Sequence, residues 1–148
     1  MEELKNIKVA LLGSGTVGTG VYKLIERQRE ELPHKVGAGL TVSKVLVGDK
    51  NKKREGIDPS VLTDQWEDII TDDEIQIVVE VMGGIEPART YITEALQAGK
   101  NVVTANKDLM AVHGGELLDI ASHNGCDLLF EASVAGGIPI IRPLKQCV

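Results

Sequence analysis

The chain has 148 residues, with 16 basic against 22 acidic side chains (net charge −6), 43% hydrophobic residues and 3% aromatic ones, which suits one domain with an aliphatic core. The acidic balance argues against a nucleic-acid-binding domain and the apolar content against disorder; no apolar run approaches the roughly 18 residues that span a bilayer. The opening MEELKNIKVALLGSG lacks the basic lead of a signal peptide, and Cys126 and Cys147 make neither a disulfide framework nor a metal spacing, so a cytoplasmic protein with reduced thiols is expected.

In chain order, Ile7 to Leu12 is an apolar run broken only by Lys8 and ending at Gly13, the pattern of a strand buried on both faces. From Thr16 to Leu32 the apolar positions Val17, Val21, Leu24, Ile25 and Leu32 share one helical face, and Pro33 stops the helix. Leu40 to Val47 reads as a second strand, and a charged loop, Asp49 to Glu55, follows. A short helix is expected around Asp64 to Ile70, with Thr63 or Asp64 as its cap. Ile75 to Met82 (IQIVVEVM) reads as a third strand, Gly83-Gly84 as a turn, and Pro87 as the first position of a helix that stops at Gly99. Asn101 to Thr104 is a fourth strand, Asp108 to His123 a helix weakened at Gly114-Gly115 and ended by Gly125, and Leu128 to Glu131 a fifth strand. A Gly-rich loop, Val134 to Ile138, comes after it. Helices between successive strands force parallel pairing, so the expected fold is α/β, a Rossmann-like doubly wound parallel sheet.

Gly13-Ser14-Gly15-Thr16-Val17-Gly18 is GxGxxG, placed between the first strand and the first helix, the context in which that pattern binds a dinucleotide. Gly13 allows the tight turn, Gly15 lets the backbone approach a pyrophosphate, and Gly18 lets the helix pack closely, while the helix start, Thr16 and Val17 included, attracts the phosphate. No GK[ST] follows, which excludes a Walker P-loop. Asp49, at the end of the second strand, suits a ribose 2′-hydroxyl and therefore NAD; Lys50, Lys52, Lys53 and Arg54 just after it suit the 2′-phosphate of NADP. NAD and NADP both stay open. Met82-Gly83-Gly84, Thr104-Ala105-Asn106-Lys107 and Glu131 to Pro139 all follow strand ends, where the ligand crevice of an open α/β sheet lies.

Four segments, LLGSGTVG, EVMGGIEPA, GKNVVTANKDLMAVHG and EASVAGGIPII, make the sequence resemble homoserine dehydrogenase over nearly its whole length. The resemblance implies interconversion of L-homoserine and L-aspartate 4-semialdehyde with a nicotinamide cofactor, in threonine, methionine and isoleucine biosynthesis. It implies that Lys107, in the ANK motif, is catalytic and lies at the cofactor and substrate end of the cleft. It also implies that Glu131, Val134, Gly136 and Ile138 hold a monovalent cation, typically sodium. Where many relatives carry Arg just before the acid of the second strand, this chain has Gly48, which leaves Lys50 to Arg54 to grip a 2′-phosphate. His34, His113 and His123 match no catalytic position of the family. The family's substrate and dimerisation domain would follow VAGGIPII. The expectation is therefore an NAD(P)-binding domain over residues 1–148, truncated before that domain and inactive by itself, from a homo-oligomeric parent. A sticky apolar edge is expected near Ile138, Ile140, Ile141 and Leu144. The alternatives are a non-catalytic dinucleotide-binding or sensing module and another amino-acid or semialdehyde dehydrogenase on the same fold.

Overall fold

The computed structural model describes residues 5–28, 38–52 and 54–131. Among them, β1 (Lys5–Leu12), α1 (Thr16–Gln28), β2 (Ala38–Leu46), a 3₁₀ turn (Pro59–Val61), β3 (Leu62–Thr63), α2 (Glu67–Ile70), β4 (Ile75–Glu80), α3 (Ala88–Gln97), β5 (Asn101–Thr104), α4 (Lys107–His123) and β6 (Leu128–Phe130) follow in order. The strands form one sheet in the order β3-β2-β1-β4-β5-β6, and every pairing is parallel. After β3 the chain crosses back over β1 to start β4. The direction of winding therefore reverses between β1 and β4, which is where such sheets open a crevice.

Aliphatic side chains alternate to both faces. Ile7, Val9 and Leu11 of β1 join Val21, Tyr22 and Ile25 of α1 on one side. Ala10 and Leu12 join Ile69 of α2, Ile92 and Leu96 of α3, and Leu109 and Leu117 of α4 on the other. Burial on both faces is why these strands read as apolar runs. In β2 the register slips between Val9↔Val42 and Ala10↔Lys44, so Ser43 is an extra residue opposite β1. That bulge shifts the phase: Leu40 and Val42 before it and Val45 and Val47 after it all enter the same core layer. The break in alternation at Lys44 is the trace of the bulge in the sequence.

Beyond small shifts at other element ends, the structure departs from expectation in five places. The sheet has a sixth strand, β3, pairing Val45↔Leu62 and Leu46↔Thr63; two residues are too short to show a period. The helix expected from Asp64 begins at Glu67, after Trp66, because the Thr63 hydroxyl accepts from the Gln65 N–H (3.1 Å) and closes a turn before the helix. Pro87 stands just before α3 rather than inside it; the Glu86 carboxylate accepts from the Thr90 N–H at 3.1 Å and caps the first turn. The third expected strand stops at Glu80, not Met82, for a reason that belongs to the site below. Gly114-Gly115 does not interrupt α4, and Gly114 is buried there. The helix stops at Gly99 and Gly125 are as expected: the N–H groups of Gly99 and Lys100 bond the carbonyls of Leu96 and Ala95, and those of Gly125 and Cys126 bond Ser122 and Ala121, the Schellman arrangement. The first helix is described to Gln28, so its expected end at Pro33 lies outside the described residues.

Candidate functional site

The glycine turn is built on contact. Gly13 has φ +113°, and a Cβ on Gly18 would lie 2.3 Å from the Gly13 carbonyl oxygen; no side chain fits there. Gly15 has nothing within 4 Å of where its Cβ would be, so the backbone is open on that side. The first helical bond of the turn runs from the Thr19 N–H to the Gly15 carbonyl at 2.9 Å. The N–H groups of Thr16, Val17 and Gly18 precede it, at the positive end of α1. Thr16 is exposed, whereas the Val17 side chain packs on the core, so Val17 offers a ligand its amide only.

A cleft of about 480 Å³ opens between β1 and β4, walled by Gly13, Ser14, Gly15, Gly48, Met82 and Tyr91 among others. The Tyr91 wall is stiff: its ring stacks on Trp66 with centroids 4.4 Å apart, and the Trp66 indole N–H donates to Glu94 at 3.1 Å. Of the expected residues, Gly13, Gly15 and Met82 line the cleft; Thr16, Val17, Gly18, Asp49, Gly83 and Lys107 do not line it.

Asp49 is exposed, just beyond β2, and its Oδ1 accepts from the Asn51 N–H at 2.9 Å. Arg54 reaches the glycine turn itself: its Nε donates to Ser14 Oγ at 2.8 Å, and one terminal nitrogen donates to the carbonyls of Asp49 (2.6 Å) and Lys52 (2.9 Å). The bonds hold a guanidinium between the glycine turn and Asp49. Of the basic run, Lys50 and Lys52 are exposed, and Lys53 lies outside the described residues.

A network at the ends of β4 and β5 escaped the sequence reading. Glu80 is fully buried. One of its oxygens accepts from the N–H groups of Met82 (2.9 Å) and Gly83 (3.0 Å), and the other from the Thr104 hydroxyl (2.6 Å). These bonds end β4, because its carboxylate takes the amides that would extend the ladder. Asn106 caps α4 by accepting from the Leu109 N–H (3.0 Å), and its amide nitrogen donates to the Gly84 carbonyl (2.6 Å). Lys107 is the first residue of α4 and is exposed. The signal available in the sequence was one acid after the apolar run IVV in IQIVVEVM.

Glu131 follows β6 directly, half-buried, and its N–H donates to the Thr104 carbonyl at 2.9 Å. Val134, Gly136 and Ile138, expected beside it at a cation, lie outside the described residues, as do Ile140, Ile141, Leu144, His34 and Cys147. Among the described residues no three His, Cys, Asp or Glu side chains gather as a metal cluster. His113 pairs with Glu116 and His123 with the Asp119 carbonyl, both away from the cleft. Among the described residues no helix is long and apolar enough to cross a membrane.

The family model described as homoserine dehydrogenase, NAD binding domain, matches residues 13–131. Homoserine dehydrogenase of Bacillus subtilis is 54% identical over 97% of this chain, and that of Corynebacterium glutamicum 48% over 95%. The crystal structure of the S. aureus homoserine dehydrogenase at pH 8.5 superposes with a TM-score of 0.83 at 46% identity, over 88% of this chain. This chain spans 33% of the Bacillus subtilis protein and 33% of the S. aureus chain, about a third of the length of its relatives. A matched segment that holds the glycine turn, the cleft and the Glu80 network together places this chain in the homoserine dehydrogenase family, as its NAD-binding domain.

Proposed function

We propose that this domain binds a nicotinamide dinucleotide across the C-terminal edge of its sheet and that, as part of a longer enzyme, it serves the interconversion of L-homoserine and L-aspartate 4-semialdehyde. The cleft between β1 and β4 carries the reading, because the glycine turn forms one wall and Met82 the other. The amides of Thr16, Val17 and Gly18 take the pyrophosphate at the start of α1. Toward β2, Asp49 suits a ribose 2′-hydroxyl and the anchored Arg54 suits a 2′-phosphate, so NAD and NADP each have a partner. The other half of the ligand runs past Met82 and Gly83 toward Lys107. A bound nicotinamide supplies the hydride donor or acceptor for the substrate's C4 carbon. Lys107 steadies that end and holds the proton of the substrate hydroxyl.

The same reading places a sodium ion on Glu131, Val134, Gly136 and Ile138, a substrate domain beyond residue 148, and a cytoplasmic, homo-oligomeric parent. A carboxylate at the end of β6 is a suitable hard-oxygen donor for the ion. Support for the further domain is that relatives are about three times as long as the segment matched here.

Calorimetric titration of this chain with NAD and NADP tests the binding; no heat from either at millimolar concentration overturns it. In the longer enzyme, Lys107→Ala is expected to lower kcat about 100-fold with the melting temperature unchanged. Unchanged turnover would remove Lys107 from the chemistry.

A further inference from the structure

The fully buried Glu80 has no part in the binding contacts described so far. Its Cα partner across the ladder is Thr104, so β4 and β5 end side by side. The Thr104 hydroxyl donates to Glu80 (2.6 Å) and accepts from the Asn106 N–H (3.0 Å). Asn106 then reaches the Gly84 carbonyl, and the amides of Met82 and Gly83 return to Glu80. The hydrogen bonds thus close a ring through both turns that follow these strands. Gly83 and Gly84 have φ +77° and +75°, and neither would meet any atom within 4 Å of an added Cβ. The Glu80 and Asn106 bonds hold that turn in shape.

Burial of a carboxylate costs several kcal/mol unless it is well bonded. An apolar residue would fill the position without that cost in a fold that needed nothing more of it. What the acid adds is an anchor for the loops on one side of the cleft. The glycine turn at β1 receives the pyrophosphate and β2 the adenosine, so the nicotinamide half lies over β4 and β5.

We propose that Glu80 is a positioning residue for the nicotinamide half of the site: its carboxylate sets the 82–84 turn and, through Thr104 and Asn106, the start of α4 that carries Lys107. The proposal rests on the dinucleotide reading above. It acts through backbone placement, and Glu80 itself touches no ligand.

The test compares two ligands on one protein. ADP reaches only the adenosine and pyrophosphate subsites, whereas NAD or NADP, whichever binds tighter, also reaches the 82–84 turn. Glu80→Gln puts an NH₂ donor where the ring needs a second acceptor, and Thr104→Val removes the link to Asn106 while Thr104→Ser keeps it. By calorimetry, Glu80→Gln and Thr104→Val are expected to weaken the dinucleotide about tenfold and ADP less than about twofold, with Thr104→Ser near wild type. Equal loss for both ligands in a variant that still melts cooperatively would mean a merely structural role and overturn the proposal, as would no loss for either. If Glu80→Gln does not fold, the Thr104 pair decides the question by the same ratio. Wild-type protein that binds neither NAD nor NADP would overturn the dinucleotide reading itself, an outcome distinct from an unchanged ratio in the variants.

Discussion

At the C-terminal edge of the sheet a buried carboxylate, Glu80, collects backbone N–H groups; at the N-terminal edge a buried ammonium, Lys100, donates to backbone carbonyls, Asp72 at 2.7 Å and Ile75 at 2.8 Å. The signs follow from the parallel sheet. Every helix returns the chain to the same edge, so helix starts, with their unpaired amides, gather at one end and helix ends, with their unpaired carbonyls, at the other. Each edge also carries a cavity of similar size, about 480 Å³ at the cleft and about 410 Å³ around Lys100, Gly99 and Asn101. What differs is what remains to be bonded. At the N-terminal edge Gly99 and Lys100 have closed the end of α3 and the ammonium has its acceptors. At the C-terminal edge the glycine turn leading into α1 walls an open cleft, and the first amides of α1 have no helical acceptor. Donors left uncommitted, and not volume, mark the ligand side.

The largest effect that would break this comparison is at the carbonyl edge. Lys100→Ala takes the ammonium donor from the Ile75 carbonyl and leaves the Asp72 carbonyl with the Ile75 N–H (3.2 Å); it is expected to cost about 2–3 kcal/mol in urea unfolding, while calorimetric dinucleotide affinity stays within about twofold. A matching loss of affinity would mean that the two edges are not independent. Burial lowers the Lys100 pKa below the ordinary lysine value. The folded chain therefore sheds that proton before the unfolded chain does, and wild-type stability relative to Lys100→Met is expected to rise as pH climbs from the folded value to the unfolded one.

Arg54→Ala sharpens the other edge. It removes a guanidinium from the glycine turn without opening the core, so NADP affinity should fall about tenfold with NAD within about twofold. Equal loss for both would make Arg54 a brace for the Ser14 turn and not a 2′-phosphate partner. A smaller effect is expected at Ser43, which belongs to neither edge. Its hydroxyl is buried without a partner, so Ser43→Ala should change unfolding stability by less than about 0.5 kcal/mol, in either direction. The smallest concerns the exposed pair joining α3 to α4, where Arg89 donates to Glu116 at 2.6 Å. The Arg89 hydrogen bond holds the Glu116 carboxyl below its ordinary value. Its stabilisation is present above the unfolded carboxyl value and fades as pH falls through the folded one. Glu116→Gln should lower stability slightly at neutral pH, and its difference from wild type should vanish as pH falls through the folded carboxyl value.

Much of this was legible along the chain, for reasons that can be named residue by residue. The runs Val9–Leu12 and Ile77–Val79 are apolar on both faces because helices cover both faces, and period and length suffice to recognise that. Gly18 sits where a Cβ would meet the Gly13 carbonyl, and Gly13, Gly99 and Gly125 have a positive φ that other residues adopt only under strain. Leu62–Thr63 was not legible, since a two-residue strand exists only by leaning on β2. Glu80 could be seen as an odd acid in an apolar run, but its side-chain partner, Thr104, is 24 positions away, a separation that no local pattern encodes.

Composition, periodicity and the glycine spacing determined by themselves an aliphatic, doubly wound α/β domain with a tight glycine turn at the start of its first helix. Those properties depend on neighbours within a turn or a strand. Tertiary structure decided which strand ends stand together, that Arg54 meets Ser14, and that one buried carboxylate ties the turn after β4 to the start of α4. Such pairings bring distant segments together, and the physical force behind them is the need of each buried polar group for a partner, which only the folded sheet can supply.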